Sequence, residues 1–201
     1  MNLTNKNLRE KEFHNNLQSK IKGRFENIFY KAIFNSSEDF FNYLKSNSEN
    51  SEVLDYGCGY GVNMNILKKI KKEIKLNCME ISKERLTMLD IINDNVYKMG
   101  FDKLAINNLS KLEKQFDLTY CDAVLIYVRP QKIYELVKNL IKSSRQTILL
   151  HELTYEFTKE KIDHLHIHNY KAIIKKINPS LKVKFSKSLR PGVPWSTHGT
   201  K

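Results

Sequence analysis

Val53-Leu54-Asp55-Tyr56-Gly57-Cys58-Gly59-Tyr60-Gly61 is the stretch on which the reading of this chain turns. A short apolar run meets an acid, and three glycines follow at alternate positions. An apolar recurrence then begins at once, with Val62, Ile66, Ile70 and Ile74. The run suits a buried strand, and the recurrence suits one face of a helix. The glycines between them predict a tight turn of positive φ that a ligand can approach closely. The first N–H groups of the helix lack intrahelical partners and point at that ligand.

The surrounding composition is that of an ordinary globular domain. Its 201 residues suffice for one domain with a sizeable core. With 41% hydrophobic and 28% charged residues, the chain falls outside the disordered and fibrous classes. The longest apolar stretch, residues 123–128, falls far short of the about 18 residues of a membrane span. The polar start, Met1-Asn2-Leu3-Thr4-Asn5-Lys6, lacks the apolar core of a secretion signal. Cys58, Cys78 and Cys121 are well separated and odd in number, which argues against a disulfide framework and for a reducing, cytoplasmic setting. They read as small buried apolar residues. A net charge of +12 keeps nucleic acid open as a partner. The lysines are spread along the whole chain, however, so solvated faces are the simpler reading and nucleic acid is not favoured.

Before the glycine stretch, residues 1–50 read as a helical cap. Phe13, Leu17, Ile21, Phe25, Ile28 and Phe29 form an amphipathic pattern. Ser36 with Asp39 is placed to cap a second helix carrying Phe40, Phe41 and Leu44. A polar linker leads into the domain proper, residues 51–201. Downstream, Leu76-Asn77-Cys78-Met79-Glu80-Ile81 reads as a strand ending in an acid, and Ser82 as the cap of a helix that Gly100 stops. Residues 104–106 read as a third strand, with Asn107-Asn108 after it. Phe116-Asp117-Leu118-Thr119-Tyr120-Cys121 reads as the fourth, followed directly by Asp122-Ala123-Val124-Leu125. Pro130 opens a helix with the stripe Ile133, Leu136, Val137, Leu140 and Ile141. A fifth strand, Gln146-Thr147-Ile148-Leu149-Leu150, runs into His151 and Glu152. Asp163-His164-Leu165-His166-Ile167-His168 alternates, but no Cys or His pair completes a ligand set, so no metal is expected. A helix through Tyr170, Ile173, Ile174 and Ile177 precedes Leu181-Lys182-Val183-Lys184-Phe185, which alternates as a strand with one wet face.

Asp55-x-Gly57-x-Gly59-x-Gly61, with Glu80 at the end of the next strand, resembles the first motifs of class I S-adenosylmethionine-dependent methyltransferases of the small-molecule type. The dinucleotide-binding fingerprint is spaced differently, as G-x-G-x-x-G, which opposes a nicotinamide-dependent dehydrogenase. The likeness covers residues 50–150 well and the ends loosely. It implies an α/β fold: a three-layer αβα, doubly wound, mostly parallel sheet of order 3-2-1-4-5-7-6, with the cap closing over it. The tail is barely long enough for strand seven, which is expected to be short or missing. The implied cofactor is S-adenosylmethionine. Its site would be built from Asp55, Gly57, Cys58, Gly59 and Gly61 in the turn and from Glu80 and Ile81 after strand two. Asn107 or Asn108 would meet the adenine, and Asp122 with Ala123 would lie beside the sulfonium. The Glu80 carboxylate suits the two adjacent ribose hydroxyls.

The implied reaction is methyl transfer by in-line displacement, to which the enzyme contributes alignment above all. A base is needed only where the acceptor must lose a proton; Asp122 and His151 are the catalytic candidates, with His14 a third if the cap closes. Tyr127, Glu152 and, from the cap, His14, Arg24 and Tyr30 are the substrate-side candidates. Absences narrow the acceptor. Asp122-Ala123-Val124-Leu125 stands where adenine-N6 and glutamine methyltransferases carry an Asn/Asp-Pro-Pro-aromatic motif. No cysteine follows a proline, as it does in cytosine-C5 enzymes. A small-molecule acceptor with an oxygen nucleophile is therefore expected. The alternatives are an RNA methyltransferase using the basic surface and a non-catalytic cofactor-binding partner subunit.

Overall fold

β1 (Glu52–Tyr56) is buried along almost its whole length, as befits a parallel strand covered on both faces. Successive residues serve opposite layers. Val53 packs into one core with Met64, Leu67, Leu89 and Tyr120. Leu54 packs into the other with Ile133, Val137, Leu140 and Tyr170. The computed structural model describes residues 51–152, 165–186 and 196–200. The cap expected over 1–50, with His14, Arg24 and Tyr30, lies outside the described residues.

After β1 come α1 (Val62–Ile70), β2 (Lys75–Met79), α2 (Lys83–Ile92), β3 (Asp102–Lys103), β4 (Phe116–Asp122), α3 (Pro130–Ser143), β5 (Ser144–His151), α4 (Tyr170–Ile177), β6 (Lys182–Ser186) and β7 (Ser196–Thr200). The seven strands lie in the order β3-β2-β1-β4-β5-β7-β6. The β1–β2, β1–β4, β2–β3 and β4–β5 pairings are parallel, and β7 runs antiparallel between β5 and β6. The strand order reverses between β1 and β4. In open α/β sheets this is where a crevice forms at the carboxyl ends of the strands. The order is the expected one, and the tail supplies a five-residue seventh strand.

Two boundaries differ from the sequence expectation. Residues 104–106 are not a strand. Only Asp102 and Lys103 pair with β2, and the chain then enters a 3-10 turn over Ile106–Lys111. Ile106, Leu109 and Leu112 stand three apart, and that turn buries Leu109 in the core beside α3 with Ile106 and Leu112 half-buried against it. This longer period outweighed the local apolar triplet. Gly100 does not stop α2 either. The helix widens into a π-turn at Asn93–Tyr97, and Lys98 takes the left-handed conformation at φ 54°. Asn93 holds that end: its carbonyl accepts from Lys98 N at 2.7 Å and its side-chain oxygen from Met99 N at 3.0 Å. Ser82 caps α2 as expected, accepting from Arg85 N at 3.2 Å, and Pro130 opens α3.

Candidate active site

The turn between β1 and α1 gives its three glycines three different tasks. All have positive φ: 80° at Gly57, 55° at Gly59 and 74° at Gly61. A methyl at Gly57 would meet Val124 Cγ2 at 2.4 Å, so this glycine lets the turn pack against the chain leaving β4. A methyl at Gly61 would meet Leu89 Cδ1 at 2.5 Å, so this one lets α1 approach α2. Only Gly59 faces open space. The turn is pinned to β2, because Gly57 N and Cys58 N both donate to the Met79 carbonyl, at 2.7 and 3.1 Å.

Glu80, one residue beyond β2, is buried against this turn. Its Oε2 accepts from Gly59 N at 2.9 Å and its Oε1 from Ser82 N at 2.9 Å. Arg85 lies 3.9 Å from Oε2. Each carboxylate oxygen has a second lone pair, so a vicinal diol can still be accepted. Ile81, beside it, is 80% exposed at the cleft mouth. Asp55 lies deeper. It is 2% exposed, and its Oδ2 accepts from the Tyr120 hydroxyl at 2.8 Å across the β1–β4 register pair. Burial drives its carboxyl up to about 8, against the opposing Tyr120 bond, with Asp122 and Glu80 adding repulsion. A hydrogen bond with Cys78 and burial push the Cys58 thiol far up, so this thiol is a packing group and not a nucleophile.

At the end of β4, Asp122 stands opposite His151 in the β4–β5 register. His151 Nδ1 lies 2.6 Å from Asp122 Oδ1. From the other side, Asn63 Nδ2 donates to Asp122 Oδ2 at 3.0 Å. The carboxylate is thus held by a histidine from β5 and an amide from the first turn of α1. The chain turns sharply at Ala123, a non-glycine residue at φ 55° whose N–H donates to the His151 carbonyl at 2.9 Å. Strained backbone of this kind is sustained only where the surroundings over-determine it.

Glu152 provides that determination. Its Oε1 accepts from Val124 N at 2.8 Å and from Leu125 N at 2.9 Å, and its Oε2 accepts from Ile126 N at 3.3 Å. Burial lifts its carboxyl to about 7 against those three bonds. This corrects the expectation that Glu152 faces substrate: its two oxygens are committed to the backbone of the 3-10 turn Leu125–Tyr127. The same turn is held from outside, where His166 N donates to Ile126 O at 2.6 Å and His168 Nε2 to Val128 O at 2.9 Å. His166 and His168 are therefore not on a helix, and His164 lies outside the described residues. Among the described residues no cluster of His, Cys, Asp and Glu could hold a metal.

These elements enclose a cleft of about 860 Å³ at the strand-order reversal. Of the expected residues, Gly57, Cys58, Gly59, Glu80, Ile81, Asp122, Ala123 and Tyr127 line it. Asp55 and Gly61 lie behind the turn, and His151 stands behind Asp122. Asn107 and Asn108 sit in the 3-10 turn after β3, while its first residue, Ile106, is the one that reaches the lining. Asn63, Ser82, Glu84 and Arg85 also line the cleft, and sequence reasoning missed them. Asn63 carried one usable signal: a polar residue in the first helical turn after the glycines, amid apolar neighbours. Among the described charged lining residues, Glu80, Glu84 and Asp122 are acidic and only Arg85 is basic. This donor set fits a cationic adenosyl ligand. Gly59 leaves room for it, Glu80 offers acceptors for a diol, Ile81 and Ile106 offer an apolar mouth, and Asp122 offers a negative end.

A family model described as a methyltransferase domain matches residues 53–147. The chain matches no curated protein by sequence. Among solved structures, it is similar to magnesium protoporphyrin IX methyltransferase from Synechocystis PCC 6803 with bound S-adenosylhomocysteine. That likeness has 15% identity and a TM-score of 0.65, covering 87% of this chain and 88% of the other. A methyltransferase dependent on S-adenosylmethionine from Aquifex aeolicus has 13% identity and a TM-score of 0.62, with 90% and 95% covered. The [4+2]-cyclase SpnF has 10% identity and a TM-score of 0.59, with 75% and 60% covered. At these identities the structural likeness establishes the fold, and the cyclase illustrates that one fold hosts more than one chemistry.

Proposed function

We propose that the chain is a class I S-adenosylmethionine-dependent methyltransferase whose acceptor is a small molecule methylated on an oxygen. The observation that carries this reading is the Asp122 carboxylate, which opens on the cleft with His151 Nδ1 2.6 Å behind it. A carboxylate so held can take a proton from a hydroxyl or a carboxylic acid, which a sulfur or tertiary-amine acceptor does not require. His151 then acts through Asp122. By donating Nδ1–H, it fixes the orientation of the carboxylate.

S-Adenosylmethionine supplies an electrophilic methyl on a sulfonium. The chain's residues do the rest. Glu80 holds a diol, Gly59 gives close access, and Asp122 orients the acceptor and receives its proton at the carboxylate. Alignment supplies most of the acceleration. The cleft's charge bears on the alternative of an RNA acceptor. The whole chain carries +12, yet acids outnumber bases among the described lining residues. A polyphosphate strand would face like charge at the point of reaction.

The test is methyl transfer from labelled S-adenosylmethionine to fractionated pools of small hydroxyl and carboxyl compounds, with total RNA in parallel. Turnover in a small-molecule pool is expected. Asp122→Asn is expected to lower kcat by about 10²- to 10⁴-fold. Turnover confined to RNA, falling steeply with salt, would refute the proposal.

A further inference from the structure

Among the described residues the exposed large apolar side chains are Ile81, Ile91 and Tyr127, and two of these three line the cleft. Ile81 stands beside Glu80 on the β2 side and forms, with Ile106, one apolar edge that suits a purine. Tyr127, 62% exposed, stands on the β4 side and forms a second edge with Val124 and Val128. S-Adenosylmethionine carries a single flat ring system, so the second edge is left for the acceptor. That edge is held rigidly. Glu152 accepts from the N–H groups of Val124, Leu125 and Ile126, the three residues before Tyr127. Tyr127 N donates to Val124 O at 3.2 Å, and Val128 N to Leu125 O at 3.0 Å. His168 Nε2 holds Val128 O from outside at 2.9 Å. Val124 packs so closely on Gly57 that a methyl there would meet it at 2.4 Å.

A fixed backbone carrying an exposed phenol ring offers a flat apolar surface at little cost in side-chain freedom. A planar ring stacks on such a surface, whereas an aliphatic group gains only contact area. Two neighbours narrow the choice further. Acids outnumber bases among the described lining residues, so a carboxylate or phosphate on the acceptor would meet like charge. The Asp122 carboxylate is a weak base, and the hydroxyl matched to it is an acidic one. A phenol loses its proton at about 10, whereas an alkanol is about as weak an acid as water, at about 15.7. We propose that the acceptor is an uncharged, planar aromatic hydroxyl compound, stacked on Tyr127 with its hydroxyl toward Asp122. As the acceptor oxygen gains a methyl from the sulfonium, whose S–C bond breaks to leave a thioether, the hydroxyl proton passes to the Asp122 carboxylate. Tyr127 selects the ring and Asp122 the hydroxyl. This inference rests on the methyltransferase reading of the cleft.

The test is titration calorimetry on the full-length protein saturated with S-adenosylhomocysteine. The probes are naphthol, its saturated counterpart decalol, and naphthoate, which keeps the rings and adds a negative charge. Wild type is expected to bind naphthol at least about tenfold more tightly than either of the others. Tyr127→Ala is expected to weaken naphthol about tenfold and decalol by less than about threefold, and Tyr127→Phe to keep the wild-type preference. Decalol or naphthoate binding as tightly as naphthol, no naphthol binding by the loaded protein, or equal losses for naphthol and decalol in Tyr127→Ala would overturn the assignment. The wild-type ranking decides the matter even where a variant does not fold. Turnover of aliphatic hydroxyl compounds alone would overturn this inference and leave oxygen methylation standing. Failure of wild type to bind S-adenosylhomocysteine at all would instead refute the methyltransferase reading beneath it.

Discussion

Asp55→Asn is the substitution that most directly tests how the glycine turn is supported. Asp55 is 2% exposed under that turn, and its carboxyl is held at about 8 against an ordinary 3.8. Burial is the largest cause; the Tyr120 hydroxyl opposes it, and Asp122 and Glu80 add to it. The sign follows from proton counting. Between those two values the native chain keeps a proton that the unfolded chain has lost, so this group's stabilisation is complete below 3.8 and disappears as pH rises through about 8. At about 1.4 kcal/mol per unit, the loss from pH 4 to pH 7 is about 4 kcal/mol. Asparagine keeps an oxygen for Tyr120 and has no charge to desolvate at any pH. Urea unfolding of wild type and variant is the assay. Near pH 4 the two should unfold alike, and near pH 7 the variant should be more stable by about 3–4 kcal/mol. A difference that does not change with pH would show that Asp55 is not buried as a carboxylic acid. The same residue links to function. A cation bound beside Asp122 would pull the Asp55 proton off, so S-adenosylmethionine binding should release a proton, measurable as a buffer-dependent heat.

Other substitutions separate the remaining parts of the site. Gly57→Ala adds a methyl 2.4 Å from Val124 at a φ of 80° and should lose about 2–4 kcal/mol in urea unfolding. Gly59→Ala, at φ 55° with nothing within 4 Å, should lose about 1–2 kcal/mol yet weaken S-adenosylhomocysteine at least about tenfold in calorimetry, because the new methyl occupies the open side of the turn. Glu152→Gln removes acceptor capacity from three backbone amides and should speed hydrogen exchange at residues 124–126 while lowering stability by about 2 kcal/mol. Tyr127→Ala, at a residue 62% exposed, should leave stability within about 0.5 kcal/mol and raise the acceptor KM more than it lowers kcat.

Much of this was legible in the chain, for reasons that differ by residue. The apolar run before Asp55 is both a strand and a core element, so its composition and its place in the sheet agree. The glycines at alternate positions carry positive φ values that other residues avoid. Their separate tasks were not legible, because Val124 and Leu89 meet Gly57 and Gly61 from distant parts of the chain. Glu152 misled for a similar reason. A polar residue at the carboxyl end of a strand suggests a ligand, but the strained turn after Asp122 needed an acceptor for three N–H groups. The Asp122–His151 pair was foreseen as two separate candidates; its contact depends on the β4–β5 register, which periodicity does not reveal. At Ile106, Leu109 and Leu112 a three-residue period competes with the apolar triplet of residues 104–106, and the packing against α3 favours the period.

The distribution of charge ties these parts together. A chain with a net +12 would be expected to present a positive face to any ligand. Its cleft instead gathers Glu80, Glu84 and Asp122, with Asp55 and Glu152 buried behind them. Such a cluster is unfavourable in the empty site, which is why burial and mutual repulsion hold Asp55 and Glu152 at about 8 and about 7. A cationic cofactor relieves that repulsion as it binds, so part of its affinity comes from carboxylates it never touches. On this reasoning cofactor and acceptor bind in order. A neutral hydroxyl acceptor gains from a cleft already loaded with the cation, whereas an anionic one would meet unrelieved acids in the empty cleft. Affinity for S-adenosylmethionine should accordingly fall as pH drops through about 8 and about 7, where Asp55 and Glu152 gain their protons, opposite to the trend expected for a phosphate-binding site lined by lysines.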